Sequence, residues 1–465
     1  MPIIHPVVFF TVLSGLLLGG AVETVSQERP GERAATTSAS AGNLTFENYQ
    51  LENGLTVILA PNAGATASAV NLWYRVGSRN ERPGRSGFAH LFEHLMFQGS
   101  EGVPAGEHMR LVERAGGNLN ASITEDRTNY YQTVPPERVN LALWLEADRM
   151  RSLQITEESL RREVEVVKEE RRLRVDNSPY GTTQLQASYY AAYDSASCFP
   201  YAHSVIGSME DLNAAQLPDV QDFFDLYYAP ANATLTVTGR FDSGQVRQLI
   251  QEYFGAIPMG DAPPQVECED PFPHLPHSME LVDPNATLPA YTSVWGGVAV
   301  SHPDGPAITL LTSVLGGGES SRLHRRLVRE TQVAQSYSLT PQLRLGPGLV
   351  RFFAVANQGV EPERIGEVLE EEVQRVREGG ITAQELDRAR RRVLASRLRQ
   401  RQTAMGQAEA LQSANHFHGS PERLNEEVDV FQAVTPDDVQ RVAASYLAPG
   451  NKLEIITRTG GGGGQ

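Results

Sequence analysis

Two parts of this 465-residue chain repeat each other in the same order, and this duplication limits the fold more than any other feature. Ile155 begins ITEESLRREVEVVKEERRL and Ile381 begins ITAQELDRARRRVLASRLR, two charged helical segments with similar starts. Further along, Tyr227 begins YYAPANATLTVTG and Tyr446 begins YLAPGNKLEIIT, each a helix end, an Ala-Pro turn, an Asn and an alternating strand. The shared order predicts a duplicated α+β domain, with chance similarity of charged helices as the alternative.

A break rich in prolines and acids, without periodicity, separates the two halves. A chain of this length exceeds what one hydrophobic core usually supports, which favours two domains. We predict a first domain over 43–255, a linker over 256–277, a second domain over 278–458 and a flexible glycine-rich tail over 459–465. Each domain is predicted to contain a mixed or antiparallel sheet flanked by helices.

The first 42 residues are typical of an exported protein. An apolar run from Val7 to about Val22 predicts a signal peptide over 1–22, followed by a disordered leader over 23–42. An uncleaved anchor is the alternative, but the run is shorter than the roughly 20 residues that a membrane-spanning helix needs. We therefore expect a periplasmic or extracellular protein, tethered to a membrane only if the leader is uncleaved.

Composition argues against nucleic acid as a partner and does not decide whether the cysteines form a disulfide. The formal net charge of −16 argues against nucleic acid and is compatible with binding basic or unfolded polypeptide. Cys198 and Cys268 are the only cysteines. They could form one disulfide in an oxidising compartment, or stay as two buried thiols.

Hydrophobic periodicity predicts the elements around the most informative motif. Residues 55–62 and 68–77 alternate like two paired strands joined by an Asn-Ala-Gly turn. Residues 86–98 and 135–152 have helical periodicity. In the first of these helices the apolar side chains form one stripe: Phe88, Leu91, Phe92, Leu95 and Met96.

Three polar residues, His90, Glu93 and His94, lie on the side of this helix opposite the apolar stripe. Two imidazoles at i and i+4 can converge on one zinc ion, and Glu93 can reach the water that the ion binds. Such a carboxylate takes the water's proton as attack on a carbonyl begins. This inverted H-x-x-E-H order therefore predicts a zinc hydrolase, with a helix carrying surface histidines as the alternative.

A catalytic zinc needs a third protein ligand, and the helix that begins near Ile155 is rich in glutamates. Glu163 and Glu170, seven residues apart, border its buried stripe, whereas Glu165 and Glu169 point away. The first pair is therefore preferred as a source of the ligand. The alternative is a solvated helix face. The stripe itself consists of Leu160, Val164 and Val167.

The segments GFAHLFEHLMFQGS, GGNLNASITEDRTNYY and EVEVVKEERRLRVDN together resemble the pitrilysin family of inverted-motif zinc peptidases, which includes insulin-degrading enzyme and the mitochondrial processing peptidases. The resemblance covers nearly the whole chain after the leader and is greatest to bacterial members of two-domain length. It implies one zinc ion per chain, held by His90, His94 and Glu170. Glu93 would be the catalytic base, and Glu163 would support Glu170 without binding the ion itself.

The same resemblance implies that the strand after the Gly-Gly turn pairs with the backbone of the substrate. Here that strand carries Asn120, Ala121, Ser122, Ile123 and Thr124. An exposed edge strand offers main-chain hydrogen bonds that tolerate many sequences. An ordinary paired strand is the alternative.

Related enzymes carry an Arg and a Tyr seven residues apart that position the substrate, whereas Arg329 and Tyr337 are eight apart here. A shift of one residue turns a helical side chain by about 100°. We therefore expect the pair to come from another subunit. The segment SSRLHRRLVRE, over 320–330, stands where the second half would have its zinc helix, so that half is expected to bind no ion.

These observations predict an exported zinc endopeptidase acting on peptides or unfolded polypeptides. Its two domains would form one half of a clamshell that a second subunit closes, as a homodimer or with a zinc-less companion. The alternative is a non-catalytic scaffold or the companion subunit of a peptidase.

Overall fold

The computed structural model describes residues 43–460. The predicted signal peptide and leader, and residues 461–465 of the predicted tail, lie outside this range. Within it, no helix is long and apolar enough to cross a membrane.

Within the described residues, the first half contains six strands and eight α-helices. The strands are β1 (Glu47–Gln50), β2 (Thr56–Pro61), β3 (Ser68–Tyr74), β4 (Asn118–Ile123), β5 (Thr128–Val134) and β6 (Ala233–Gly239). The helices are α1 (Phe88–Leu95), α2 (Glu107–Arg114), α3 (Val139–Ser152), α4 (Glu157–Arg171), α5 (Gly181–Leu185), α6 (Met209–Asn213), α7 (Leu217–Tyr227) and α8 (Ser243–Phe254).

The second half contains five strands and six helices. The strands are β7 (His277–Asp283), β8 (Ala290–Gly296), β9 (Ala334–Gln342), β10 (Leu349–Ala356) and β11 (Lys452–Thr459). The helices are α9 (Gly305–Gly316), α10 (Pro362–Gly379), α11 (Ala383–Gln400), α12 (Ala404–His418), α13 (Arg423–Ala433) and α14 (Pro436–Tyr446).

Both halves build the same mixed sheet. The first has the order β1-β2-β6-β3-β5-β4, and the second has the order β7-β11-β8-β10-β9. In each half the last strand along the chain enters the sheet between two earlier strands. Strand β6 is parallel to β2 and antiparallel to β3. Strand β11 is likewise parallel to β7 and antiparallel to β8. The predicted α+β fold of two domains with helix-flanked mixed sheets is therefore confirmed.

The predicted hairpin of residues 55–62 and 68–77 is wrong. Both segments are strands, but β2 and β3 do not pair, because β6 enters between them. A strand from about 170 residues later in the chain supplies both partners. Local alternation indicates a strand and carries no information about such a distant partner.

The two charged segments that suggested a duplication begin in the same way. In α4, Thr156 accepts a hydrogen bond from the Ser159 amide, and in α11, Thr382 accepts one from the Glu385 amide. Both are capping boxes, which satisfy amides that the first helical turn leaves unpaired. Each helix therefore begins one residue after the Ile-Thr pair that marks the repeat in the sequence.

Each half contributes a segment that packs on the sheet of the other half. Helix α12 packs on the outer face of the first sheet, where Leu411 and Ala414 contact Ile58 and Ala60. In return, residues 187–202 pack against Val294, Leu349 and Ile455 of the second sheet. The predicted bounds 43–255 and 278–458 therefore contain the two sheets, except for Thr459 of β11 and His277 of β7, but not all of the side chains that cover each sheet.

A disulfide joins Cys198 to Cys268, which selects the bridged alternative. It ties the exchanged segment to the linker between the two sheets. The linker itself has no strand or helix between Phe254 and His277, in agreement with its proline content.

The counterpart of the zinc helix in the second half is not the segment that the sequence suggested. The counterpart of α1, which follows β3, is α9, which follows β8. Residues 320–330 come later and correspond to α2, so the expectation that they replace the zinc helix was wrong. Helix α9, with the sequence GPAITLLTSVLG, contains no histidine or carboxylate, and the only cluster of three metal-ligating groups within residues 43–460 is in the first half.

Candidate metal centre

The helix that carries the inverted motif is fixed at its beginning by a buried carboxylate. Gly87 adopts the left-handed conformation, with φ of 88°, and the Glu81 side chain accepts hydrogen bonds from the Gly87 and Ala89 amides at 2.9 and 2.7 Å. A negative charge at a helix N-terminus is favourable. His203 holds Glu81 from the other side, with Nε2 3.0 Å from the carboxylate. Sequence reasoning missed this support, because His203 is more than 120 residues away.

The apolar stripe anchors α1 as predicted. Leu91, Phe92 and Leu95 are fully buried, and the Phe92 ring stacks on Phe223 and Tyr228 with centroids 5.1 Å apart in each case. His90 is also nearly buried, at 7% exposed, because α4 covers the opposite side of α1. The polar side of the helix therefore faces another helix, with the His94 side chain still 24% exposed.

Helix α4 brings a carboxylate to both imidazoles. Glu170 Oε2 lies 3.6 Å from His90 Nε2 and 3.4 Å from His94 Nε2. One ligand atom from each of these three residues lies within 4.8 Å of the others. The other Glu170 oxygen, Oε1, is 2.7 Å from the Arg174 guanidinium, which turns Oε2 toward the histidines.

Glu163, the other preferred glutamate, contacts the His94 ring on the side away from Glu170. Glu163 Oε2 lies 3.5 Å from His94 Nδ1, so the second imidazole has a carboxylate at each nitrogen. The two glutamates that border the buried stripe of α4 thus both lie at the site. Glu165 and Glu169 are instead paired with Lys168 and Arg172 on the exposed side of α4.

The surroundings of the two imidazoles shift their pKa values in opposite directions. Burial lowers the pKa of His94, but hydrogen bonds to Glu163 and Glu170 outweigh it and raise the pKa to about 9. Burial and the neighbouring His94 charge lower the pKa of His90 to about 4. In the metal-free protein, one imidazole is therefore cationic and the other neutral at pH 7.

The donor set and its spacing fit a zinc ion. Zinc binds histidine and carboxylate at about 2.0–2.2 Å in tetrahedral geometry, which puts neighbouring ligand atoms about 3.4 Å apart. The separations of 3.4 and 3.6 Å from Glu170 to the two imidazoles match that value. A metal-ligating histidine commonly donates its other N–H to a carboxylate, as Glu163 allows for His94. Three protein ligands leave a fourth position for water.

Glu93 lies one turn from His90 on the same helix, and no described group donates a hydrogen bond to its carboxylate. Burial raises its pKa to about 7, against the opposing effect of His94. A carboxylate of this kind can exchange a proton with water near neutral pH.

The strand expected to pair with substrate, β4, lies at the edge of the first sheet, bonded only to β5 among the described strands. It contains Asn120, Ala121, Ser122 and Ile123, whereas Thr124 begins the turn that follows. Asn120 Oδ1 accepts from the Ala121 amide at 2.9 Å. Beyond the turn, Arg127 donates to the Ser122 carbonyl at 2.9 Å.

With this geometry established, comparison with known proteins gives the family. The model described as "Insulinase (Peptidase family M16)" matches residues 56–195, and "Peptidase M16 inactive domain" matches residues 214–393. The chain is 33% identical to the zinc protease PqqE of Helicobacter pylori over 347 residues, 74% of this chain and 77% of that protein.

The chain belongs to the insulinase family, peptidase family M16. It is also 23% identical to the uncharacterized zinc protease YmxG of Bacillus subtilis, over 89% of this chain and 99% of that protein. Among solved structures, it superposes on a protease from Helicobacter pylori with a TM-score of 0.83 and 28% identity, over 89% of this chain and 99% of the other. The resemblance to this family of zinc peptidases is thereby confirmed.

Two residues considered from the sequence lie elsewhere. Arg329 is largely exposed and pairs with Glu319, and the Tyr337 hydroxyl lies 3.0 Å from Ser321 Oγ. Both contacts are within the second half. Arg174 was overlooked, although its place four residues after Glu170 was a detectable signal for an ion pair.

Proposed function

We propose that this member of the insulinase family is a zinc-dependent metalloendopeptidase that hydrolyses peptides or unfolded polypeptides. The observation that carries the proposal is the convergence of His90, His94 and Glu170 on one point, with Glu93 on the same helical turn. His90 Nε2, His94 Nε2 and Glu170 Oε2 would hold the ion. Bound zinc would polarise the scissile carbonyl and lower the pKa of a water molecule to about 7.

The chain's own residues do the proton transfer and hold the substrate. Glu93 accepts the proton of the attacking water and delivers it to the nitrogen of the leaving amine. Glu163 holds the His94 ring by Nδ1, and Arg174 holds the Glu170 carboxylate by Oε1. The free side of β4, including Asn120, Ala121 and Ser122, pairs with the substrate backbone, an arrangement that favours extended chains.

Substitution of the base tests the proposal. In Glu93→Gln we expect hydrolysis of a quenched fluorescent peptide library to fall by about 10²–10⁴-fold, because only proton transfer is removed. Zinc content, measured by mass spectrometry, should stay at one ion per chain. Glu169→Gln is the matched control, since Glu169 is an exposed glutamate next to Glu170 that pairs with Arg172 at 3.0 Å. Near wild-type hydrolysis by purified Glu93→Gln would sink the proposal.

A scaffold or companion role is the alternative, and the match of the second half to a domain described as inactive keeps it in view. A scaffold needs no converging ligands, so stoichiometric zinc with peptide hydrolysis excludes it. Zinc binding without hydrolysis, in the presence of every co-purified partner, would favour it.

The proposal extends to an exported enzyme whose clamshell is closed by a second subunit, either a copy of this chain or a zinc-less companion. Arg329 and Tyr337 make their contacts within the second half, which supports an outside source for the substrate-positioning pair. Fractionation of the host and sedimentation of the purified complex test both points. A cytoplasmic, monomeric and fully active protein would contradict them.

A further inference from the structure

A cavity of about 920 Å³ opens beside the turn between β4 and β5. Helices α12 and α13 form one wall, and the first residues of α9 with the last of α11 form the other. Trp73, Thr124 and Arg127 line it on the side of the first sheet. Its volume is in the range of pockets that enclose small ligands or side chains.

The cavity is continuous with the proposed substrate strand. Thr124 directly follows the last residue of β4, and Arg127 donates to the carbonyl of Ser122 within it. A six-residue strand spans about 20 Å. A peptide that pairs along β4 and extends past Thr124 therefore reaches this cavity.

Arg127 brings a charge that no carboxylate in the described chain contacts directly. Its Nη1 donates to the Ser122 carbonyl and to Asn129 Oδ1, at 2.9 and 2.6 Å, and its guanidinium lies 4.7 Å from the Trp73 ring centre. Glu409, on α12, accepts from the Asn71 and Asn129 side-chain amides at 2.8 Å. It acts on Arg127 through its charge without direct contact, as Glu93 and Asp126 also do. Because no carboxylate contacts it directly, the Arg127 guanidinium can form charge-assisted hydrogen bonds to an incoming anion.

Three more arginines line the cavity, two at the end of α11 and one at the start of α13. Arg397 and Arg401 both pair with the single carboxylate of Glu427. Arg423 pairs with Glu426, which does not line the cavity. The described lining thus contains four arginines and only two glutamates, although the whole chain has a net charge of −16.

We propose that this cavity is a substrate subsite that binds a carboxylate of the peptide, either an acidic side chain or the C-terminal carboxyl group. The inference rests on the proposed function and names the chemistry of its preferred substrates. Charge-assisted hydrogen bonds from arginine are about twice as strong as those between neutral groups. A site built for a carboxylate also rejects the corresponding amide, because the guanidinium would stay without its anion.

Binding measured without turnover tests the inference. The protein is zinc-loaded Glu93→Gln, and the probe is a fluorescein-labelled decapeptide of alternating Ser and Leu. One form carries a single Glu and the other carries Gln at the same position, each as the free acid and as the C-terminal amide. Fluorescence anisotropy gives the dissociation constants. We expect at least one carboxylate-bearing form to bind about tenfold more tightly than its amide counterpart, the effect of one charge-assisted hydrogen bond.

Two further substitutions should change the preference for carboxylate over amide in opposite directions. A folding defect would not produce both changes. Arg397→Gln should reduce the carboxylate preference severalfold, and Glu427→Gln should increase it, because it frees two guanidinium groups. Arg399→Gln, on the same helix but outside the lining, is the control and should leave the preference unchanged. Arg127 itself is left intact, because it also holds β4.

The four peptides distinguish an acidic side chain from a C-terminal carboxyl group. Together with a hydrolysis assay they also distinguish failure of the subsite from failure of the proposed function. A Glu-over-Gln preference identifies a side-chain subsite, and an acid-over-amide preference identifies a C-terminal one. Equal binding of all four peptides, or equal effects of Arg397→Gln and Arg399→Gln, overturns the inference. Hydrolysis by wild-type protein without any carboxylate preference would leave the proposed function standing. A carboxylate preference without hydrolysis would remove the proposed function and keep the subsite.

Discussion

The turn that follows the substrate strand contacts the second half through Asp126, which bonds to Leu345 and His416, and through a buried ion pair of Glu125 with Arg344. The loss of Arg344 has a calculable cost. Arg344, 4% exposed, places Nη2 2.8 Å from Glu125 Oε1 and donates from Nη1 to the Tyr193 hydroxyl at 2.8 Å. Its guanidinium also lies 5.4 Å from the Tyr193 ring and 5.6 Å from that of Tyr201. Arg344→Met removes the charge and keeps most of the side-chain volume.

The expected loss of unfolding free energy is about 3 kcal/mol. Breaking a buried ion pair from one side costs about 3–5 kcal/mol, since the remaining charge has no partner. The lower end applies because the Glu125 side chain is 14% exposed and keeps a hydrogen bond from the Tyr189 hydroxyl at 3.0 Å. We also expect faster amide hydrogen exchange in residues 119–131, because the turn loses one of its attachments to the second half.

Urea unfolding with an unchanged m-value measures the loss. The matched control is Arg364→Gln, whose exposed pair with Glu367 in the same half should contribute less than about 0.5 kcal/mol. A double-mutant cycle of Arg344→Met with Glu125→Gln should give a coupling energy above about 1.5 kcal/mol. Additive losses within about 0.5 kcal/mol, or a loss no larger than in the control, would refute the reasoning.

Three further predictions concern the metal site and the disulfide. Glu163→Gln should weaken zinc binding by about 10–100-fold in a chelator competition assay, because it loosens the His94 ring, while Glu165→Gln, on the exposed side of α4, should not. With the pKa of His94 at about 9, zinc must displace its proton, so apparent affinity should rise about tenfold per pH unit up to pH 9, with one proton released per ion; affinity independent of pH between 6 and 8 would contradict this. Replacing Cys198 and Cys268 by Ser should lower unfolding free energy by up to about 4 kcal/mol, the chain-entropy value for a bridge that spans 70 residues, and an unchanged urea midpoint would speak against it.

Much of the metal centre followed from spacing alone. A helix fixes the relative directions of positions i, i+3 and i+4, so the projection of His90, Glu93 and His94 from one side was determined once α1 was recognised. The same periodicity separated Glu163 and Glu170 from Glu165 and Glu169 on α4. Repeated order along the chain likewise predicted the duplicated domains that the two sheets confirm.

The sequence led to no prediction, or to a wrong one, for contacts between segments far apart in the chain. The hairpin prediction for β2 and β3 was wrong because β6 separates them, and the zinc helix's counterpart had to be found from strand order. The support of α1 by Glu81 and His203 joins residues 122 apart. The cation-rich cavity forms only when α12 and α13 lie across the first sheet.

The sequence by itself therefore determined which groups could bind a metal and on which face of each helix they lie, because local helical geometry fixes those relations. Only the tertiary structure decided that Glu170 Oε2 meets both imidazoles, that β4 stays an edge strand, and that four arginines surround one cavity. These depend on packing between elements far apart in the sequence, which no local periodicity records.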